Sequence, residues 1–412
     1  MTDLCSREPI LSFETAREKI AAAIKPVSGI ETVTLKLALG RVVAEPVHSP
    51  SDIPHHRNAA VDGYAFSSRD IDTTQAFRLR LAGVSWAGKP FQEQSSAGEC
   101  VRIFTGAVVP NRLDSVVMQE DVTVEGGDIV FPVTVPTRRF VREIGEDIKR
   151  GELLCGAGKK LTAIELGLFA SAGIYHVAVT RPVNIAFFST GDELTGIGQP
   201  LAPGKIHDSN RYILGGLLSD PCYRSADLGV IGDDMQPLEM AFLNAAANHD
   251  VIITTGGASV GEADLIKQIL DRLGEVHLWK IAMKPGKPLA FGKIDKAFFF
   301  GLPGNPVAVA VTFQQVVEPA LQQLAGLTPA SRLRFKAICT APLKKEPGRL
   351  EFQRGILTQN ADGEFFVASA GGQGSHMLGS MSQSNCYIVL PADCGGVRVN
   401  EQVWVEPFRT TP

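Results

Sequence analysis

Between about residues 183 and 330 the sequence repeats one rhythm: a short apolar run, a polar turn, then a longer stretch with helical spacing. The runs are VNIAFFS, SADLGVI, DVIITT and KAFFFG. The stretches that follow them are SNRYILGGLLSD, PLEMAFLNAAANH, ADLIKQILDRL and PVAVAVTFQQVVEPALQQL. Short apolar strands alternating with helices predict a mostly parallel sheet covered on both faces. No other feature constrains the fold as much, because ligands of such sheets gather where strands end and helices begin.

The flanking regions have a different texture. Residues 10–48 predict a helix over FETAREKIAAAI and then a short strand ending in LGRVVAEPV. Residues 49–149 are short apolar runs separated by Gly, Pro and Asp, which predicts a mainly β domain. Residues 150–182 contain LTAIELGLFASAGI, apolar at helical spacing, with Thr162 and Glu165 in a capping-box pattern. The last 80 or so residues return to short strands, NCYIVLP and QVWVEPF the clearest. A chain of 412 residues exceeds one compact core, so the fold class is α/β plus β in several domains.

Composition narrows the function classes. A net charge of -4 gives no broad basic surface and argues against nonspecific nucleic-acid binding. The sequence lacks a window of about eighteen uninterrupted apolar residues, so a membrane span is not expected. The opening MTDLCSREPI has no basic region followed by an apolar core, hence no secretory signal is expected. Seven scattered cysteines without CxxC spacing predict reduced thiols in a cytoplasmic protein. The adjacent His55 and His56 read as a surface loop, and zinc chemistry has no motif here.

Each strand of the repeating region empties into a polar or glycine-rich turn. These are STGDEL with Asp192 and Glu193, GDD with Asp233 and Asp234, TTGGASVGEAD, and LPGNPVAV. Gly256, Gly257 and Gly261 would let backbone N–H groups approach a ligand, as would Gly304 with Pro306 opening the last helix. Asp234, Glu262 and Asp264 would repel an anion unless a cation lay between, and carboxylates with phosphate oxygens are how Mg²⁺ is held. The expected ligand is therefore a metal-bridged phosphate. Each turn also has a simpler reading: Asp233 or Asp234 as a helix cap, Glu262 as a first-turn acid. TTGGASVGEAD fits neither GxGxxG nor GxxxxGK[ST], which removes the standard dinucleotide and P-loop readings. Lys280, Lys284 and Lys287 follow in WKIAMKPGKPLAFG. Read as a strand, Lys280 and Lys284 share a face and offer charges to an oxyanion; a solvated basic loop is the alternative.

STGDEL, TTGGASVGEAD, KIAMKPGKP and GLPGNPVA, in this order, resemble the molybdopterin molybdenumtransferase family, which includes bacterial MoeA proteins and the E domain of gephyrin. NAAVDGYAF, RIFTGAVVP, REIGEDIKRG, PGRLEFQRG and GGQGSHMLGSMS are similar to the same family, so the resemblance spans nearly the whole chain. It implies that adenylylated molybdopterin and molybdate are substrates, that molybdenum enters the dithiolene, and that AMP leaves with Mg²⁺ assisting. It implies an elongated homodimer with four domains per subunit. These are a stalk (1–48 and 150–182), an inserted mainly β domain (49–149), a three-layer α/β molybdopterin-binding domain related to molybdopterin adenylyltransferases (183–330) and a C-terminal β domain (331–412). The inserted domain would face the partner subunit's α/β edge. A molybdopterin adenylyltransferase and molybdoenzyme acceptors are the implied protein partners.

Carried over by motif, Asp62 and Gly63, Thr105 and Gly106, and Arg142 and Asp147 correspond to cleft residues of the inserted domain. Glu193, Asp234 and Asp264 correspond to acids of the α/β site, and Lys280, Lys284, Pro303 and Pro306 to its pocket lining. Gly256, Gly257, Ser259 and Gly304 are the turn residues beside them, and Arg349 and Ser375 would hold molybdate. A metal on Asp234 and Asp264 would neutralise phosphate charge, and Glu193 or Asp62 would orient or deprotonate water. Many members read FDNSAMDGYA where this chain has HRNAAVDGYA, so Arg57, Ala59 and Val61 depart from the pattern. A non-catalytic scaffold or regulatory paralogue and an adenylyltransferase are the competing classes. AMP release with and without molybdate separates them.

Overall fold

The computed structural model describes residues 10–72, 75–256, 264–329 and 331–408, with the backbone alone for Asp264 and Leu265. Its centre is a six-stranded sheet built from β1 (Val183–Thr190), β2 (Tyr223–Ile231), β3 (Val251–Thr255), β4 (Gly274–Lys280), β5 (Pro288–Ile294) and β6 (Ala297–Leu302), ordered β2-β1-β3-β6-β5-β4. The first four in that order are parallel, with Ile185 opposite Val251 and Ile252 opposite Phe299. β5 and β4 complete the sheet antiparallel.

The apolar runs of the central strands β1, β3 and β6 are explained by burial on two sides. Successive side chains point to opposite faces. Ile185, Phe187, Val251, Ile253 and Phe300 enter one core with Leu214, Val307 and Val311. Ala186, Phe188, Ile252 and Phe299 enter the other with Leu238, Phe242, Ile266 and Ile269. Helices Asn210–Leu217 and Pro306–Thr312 cover the first face, and Met235–Asn248 and Asp264–Leu273 the second. The domain is three-layered.

A second six-stranded sheet occupies the inserted region, from Gly63–Phe66 to Asp128–Phe131. The C-terminal strands close into a barrel, because Leu350–Gln359 pairs with both Phe365–Ser369 and Cys386–Leu390. Ile30–Thr34 pairs with His176–Thr180 and Val47–His48 with Leu153–Cys155, so two distant segments form one body on either side of the inserted sheet. The strand expected to end in LGRVVAEPV is shorter than that reading. It stops at Thr34, a 3₁₀ turn follows at Leu35–Leu37, and Val42 and Val43 make single bridges. The capping box forms as read, with the Thr162 amide donating to Glu165 at 3.0 Å and the Ile164 amide to Thr162 at 3.2 Å.

The first helix, Phe13–Ala23, lays Phe13, Ala16 and Ile20 into the α/β core, and Phe13 meets Phe352 of the barrel edge-on at 5.5 Å. Arg181 clamps Asp250 through two bonds of 2.7 and 2.8 Å, fixing the start of β1 against the start of β3. Among the described residues no helix is long and apolar enough to cross a membrane.

Candidate functional site

Parallel pairing brings the ends of β1, β2, β3 and β6 to one edge. There the first two turns are tied reciprocally. The Asp192 amide donates to the Asp233 carboxylate at 3.4 Å, and the Asp233 amide donates to Asp192 Oδ1 at 3.1 Å. The Lys205 ammonium donates to the Asp192 carbonyl. Glu193 and Asp234 follow these two residues and are both exposed. Asp234 also caps the helix Met235–Asn248, its Oδ1 accepting from the Gln236 amide at 3.2 Å. The capping reading of Asp234 is therefore realised, and its second oxygen is the one that remains for another role.

At the third turn, Ser189 and Thr255 share a buried hydroxyl bond of 2.8 Å. Gly256 has φ +89°, and a Cβ there would lie 2.5 Å from the Thr190 carbonyl, so the close approach of β1 and β3 demands glycine. Gly257, Ser259, Gly261 and Glu262 lie outside the described residues, as does the Asp264 side chain. At the fourth turn Pro303 is buried and Gly304 exposed. The Asn210 amide group donates to the Gly304 carbonyl at 2.8 Å, and the Val307 amide donates to the Ser375 carbonyl at 3.0 Å. Val307, the residue after Pro306, and Ser375 thus meet across the α/β–barrel boundary. Asn210 Oδ1 and Thr254 Oγ1 are buried without a partner among the described residues.

The lysines require a correction. Lys280 ends β4 opposite Pro288, whereas Met283–Lys284 pairs with Leu350–Glu351 in the barrel sheet. The two do not share a strand face. The chain leaves one sheet at Ile281, bridging Leu11, and enters another, so local alternation continues while the partner changes. Lys284 is ion-paired with the buried Glu351 at 3.0 Å. Arg349 is exposed immediately before that strand.

The inserted domain gathers a second group. The Thr105 amide and hydroxyl each donate to Asp62 Oδ1 at 2.7 Å, and these bonds hold the Asp62 carboxyl below its ordinary range. The Gly106 amide donates to the Ala59 carbonyl at 2.8 Å. Arg142 pairs with Asn58 across two short strands, and the Asp147 amide donates to the Ile53 carbonyl at 3.1 Å; both side chains are exposed. The three departures are absorbed locally. Arg57 donates to the Leu113 carbonyl at 3.0 Å and contacts Glu143, Ala59 is fully buried, and Val61 packs on the same apolar cluster. Asp62, Thr105, Gly106 and Asp147 hydrogen-bond to partners within residues 49–149.

Several residues that matter here were not legible as site residues. Asp208 is buried and accepts from the Asn210 and Arg211 amides and the Arg211 side chain, seating the helix whose Asn210 holds Gly304. Arg354 is fully buried and donates to the Gly372 and Gly374 carbonyls at 2.9 and 3.0 Å, which shapes the loop carrying Ser375. Burial pulls its guanidinium below the ordinary value. Tertiary partners give these residues their role, and the only local signal was the turn or glycine motif beside them.

The fold defines a multidomain protein with a three-layer α/β domain whose parallel strands end in polar turns at one sheet edge. Three family models match in sequence order. They are the MoeA N-terminal region (domain I and II) over residues 11–173, a probable molybdopterin binding domain over 186–323, and the MoeA C-terminal region (domain IV) over 336–408. A molybdopterin molybdenumtransferase of Haemophilus influenzae is 43% identical over 401 residues, covering 97% of this chain and 99% of that protein. Gephyrin of Dictyostelium discoideum is 33% identical over 91% of this chain and 59% of its own length. The crystal structure of a molybdopterin biosynthesis MoeA protein from Pyrococcus horikoshii superposes with a TM-score of 0.84 at 27% identity, covering 97% of this chain and all of that one. The chain belongs to the molybdopterin molybdenumtransferase family, transferases of molybdenum cofactor biosynthesis.

Proposed function

We propose that the chain inserts molybdenum from molybdate into adenylylated molybdopterin and releases AMP. The observation that carries this reading is the edge at which β1, β2, β3 and β6 end, where acidic turns are tied together beside a backbone-rich turn and a barrel loop. Such an edge offers what cleavage at a phosphate needs: backbone donors for oxyanions and carboxylates for water. Glu193 or Asp62 orients or deprotonates that water. Lys280, Lys284, Arg349 and the Ser375 loop supply donors suited to a tetrahedral dianion.

Mg²⁺ is the ion that suits this rim. Among the described residues no three acidic, His or Cys side chains form a ready metal cluster. Mg²⁺ does not require one, since it is usually held by one or two carboxylates together with substrate phosphates. Asp234 retains one uncommitted oxygen, and Asp264 would be its companion. When bound, the ion would neutralise charge on the phosphates.

This reading takes the chain as a homodimer, in which the Asp62–Thr105 pair of one copy would serve the strand-end rim of the other. The same reading makes the chain a cytoplasmic enzyme that receives substrate from a molybdopterin adenylyltransferase and passes product to molybdoenzymes. The test is AMP release from adenylylated molybdopterin with and without molybdate. Molybdate-dependent release is the expected result. ATP consumption, or no release at all, would reject it. Asp234→Asn and Asp264→Asn should each shift the Mg²⁺ dependence of that release.

A further inference from the structure

We propose that Trp86, stacked on Phe104 at the end of the inserted sheet, is the platform for a planar heteroaromatic ring of the substrate. The adjacent Arg102 and Lys89 would serve the phosphate joined to that ring. The inference rests on the substrate reading above, whose molecule carries two such rings, a purine and a pterin.

The platform is built by register. Phe77–Ser85 and Glu99–Ile103 run parallel with Ser85 opposite Ile103, so the next residues, Trp86 and Phe104, emerge side by side. Their rings stack at 4.1 Å with planes 10° apart. Trp86 is held by a two-residue turn closed from both sides, its amide donating to the Lys89 carbonyl at 3.0 Å and the Lys89 amide donating back at 2.9 Å. Such a position is rigid, yet 52% of Trp86 is exposed. The domain's apolar cores gather around Val101, Ile103 and Val116 and around Phe66, Leu79 and Phe131, and the stacked pair stands outside both. An indole fixed by its neighbours but left half in water adds little to the core and presents a ready π-face.

Its surroundings select the ligand. The Arg102 guanidinium lies 5.0 Å from the centre of the Phe104 ring and 4.8 Å from that of Tyr64, and it donates to the Gln119 side chain and, at 3.3 Å, to the Gly63 carbonyl. The residue after Phe104 is Thr105, whose two donors hold Asp62. Stacking face, fixed cation and carboxylate therefore adjoin one another. An aromatic side chain stacks on a nucleobase-like ring whatever its substituents, and nearby basic groups meet the attached phosphate. The chemistry common to purine and pterin is what this surface recognises.

Isothermal titration of the full chain with AMP and, separately, with free pterin tests the assignment. One of the two should bind, and Trp86→Ala should weaken that ligand by about tenfold. Trp86→Phe should restore most of the affinity, which a merely structural role would not require. In a chain carrying Trp279→Phe and Trp404→Phe, the remaining tryptophan emission should be quenched as AMP saturates if the purine is the ring that stacks. Sensitivity of pterin binding alone would assign the pterin instead. A folded Trp86→Ala variant that binds both probes like the wild type overturns the proposal, as does a wild type that binds neither. Molybdate-dependent AMP release in the wild type is scored separately, so loss of this inference leaves the proposed function standing.

Discussion

Arg354 is the most informative single perturbation outside the acidic rim. Its side chain is 1% exposed and held by neutral acceptors: the Gly372 and Gly374 carbonyls at 2.9 and 3.0 Å and the Ser380 hydroxyl at 3.4 Å. Gln373 closes the loop from the other side, accepting from the Arg354 amide at 2.8 Å and donating to its carbonyl at 3.0 Å. The loop so formed carries Ser375, whose carbonyl receives the Val307 amide. Arg354→Ala removes the two hydrogen bonds that the buried guanidinium gives to this partly exposed loop, at about 1.5 kcal/mol each for a charged donor, or roughly 3 kcal/mol together before any void is counted. At about 1.4 kcal/mol per factor of ten, the loop should open roughly a hundredfold more often. Hydrogen exchange at the Val307 amide reads this opening directly and does not require the multidomain chain to unfold in one step. Arg354→Lys keeps the charge but not the planar fork and should fall between the two. An Arg354→Ala protein that is folded and shows unchanged exchange at Val307 would refute the reasoning.

Three further outcomes are expected. Glu351→Gln removes the partner of Lys284 and should tighten AMP or molybdate binding by about twofold to fivefold, measured by titration calorimetry. Glu165 is pushed down from 4.5 to about 2, chiefly by Lys159 and then by Thr162. A depressed carboxylate stabilises fully above its unfolded value, and the effect is lost as pH falls toward the folded one. Amide protection of Ala163–Ser171 should therefore be flat at neutral pH and decline from about pH 4.5 downward, and Glu165→Gln should flatten that decline. Burial raises the Cys100, Cys222 and Cys386 thiols to about 12, so a thiol reagent near neutral pH should leave them unmodified in the native chain. Peptide mapping should instead find label on the partly exposed Cys394.

The α/β region was legible because its central strands β1, β3 and β6 are apolar on both faces over most of their length, a pattern that burial on two faces sustains. The Thr162–Glu165 box was legible because both partners lie within one helical turn. Polar turns after each strand could be placed at one edge from strand direction alone. Lys280 and Lys284 failed this kind of reading, since spacing records which face a residue occupies but not which sheet its strand joins.

Residue order by itself determined the alternation of strand and helix, the chemical character of the turns, and the family motifs spread along the chain. Tertiary structure alone decided the reciprocal Asp192–Asp233 tie, the burial of Arg354 under a loop nearly twenty residues away, and the stacking of Trp86 on Phe104. The physical reason is range. Hydrogen-bonded turns and amphipathic periods are set by neighbours in the chain, whereas these contacts exist only after distant strands have chosen partner and register.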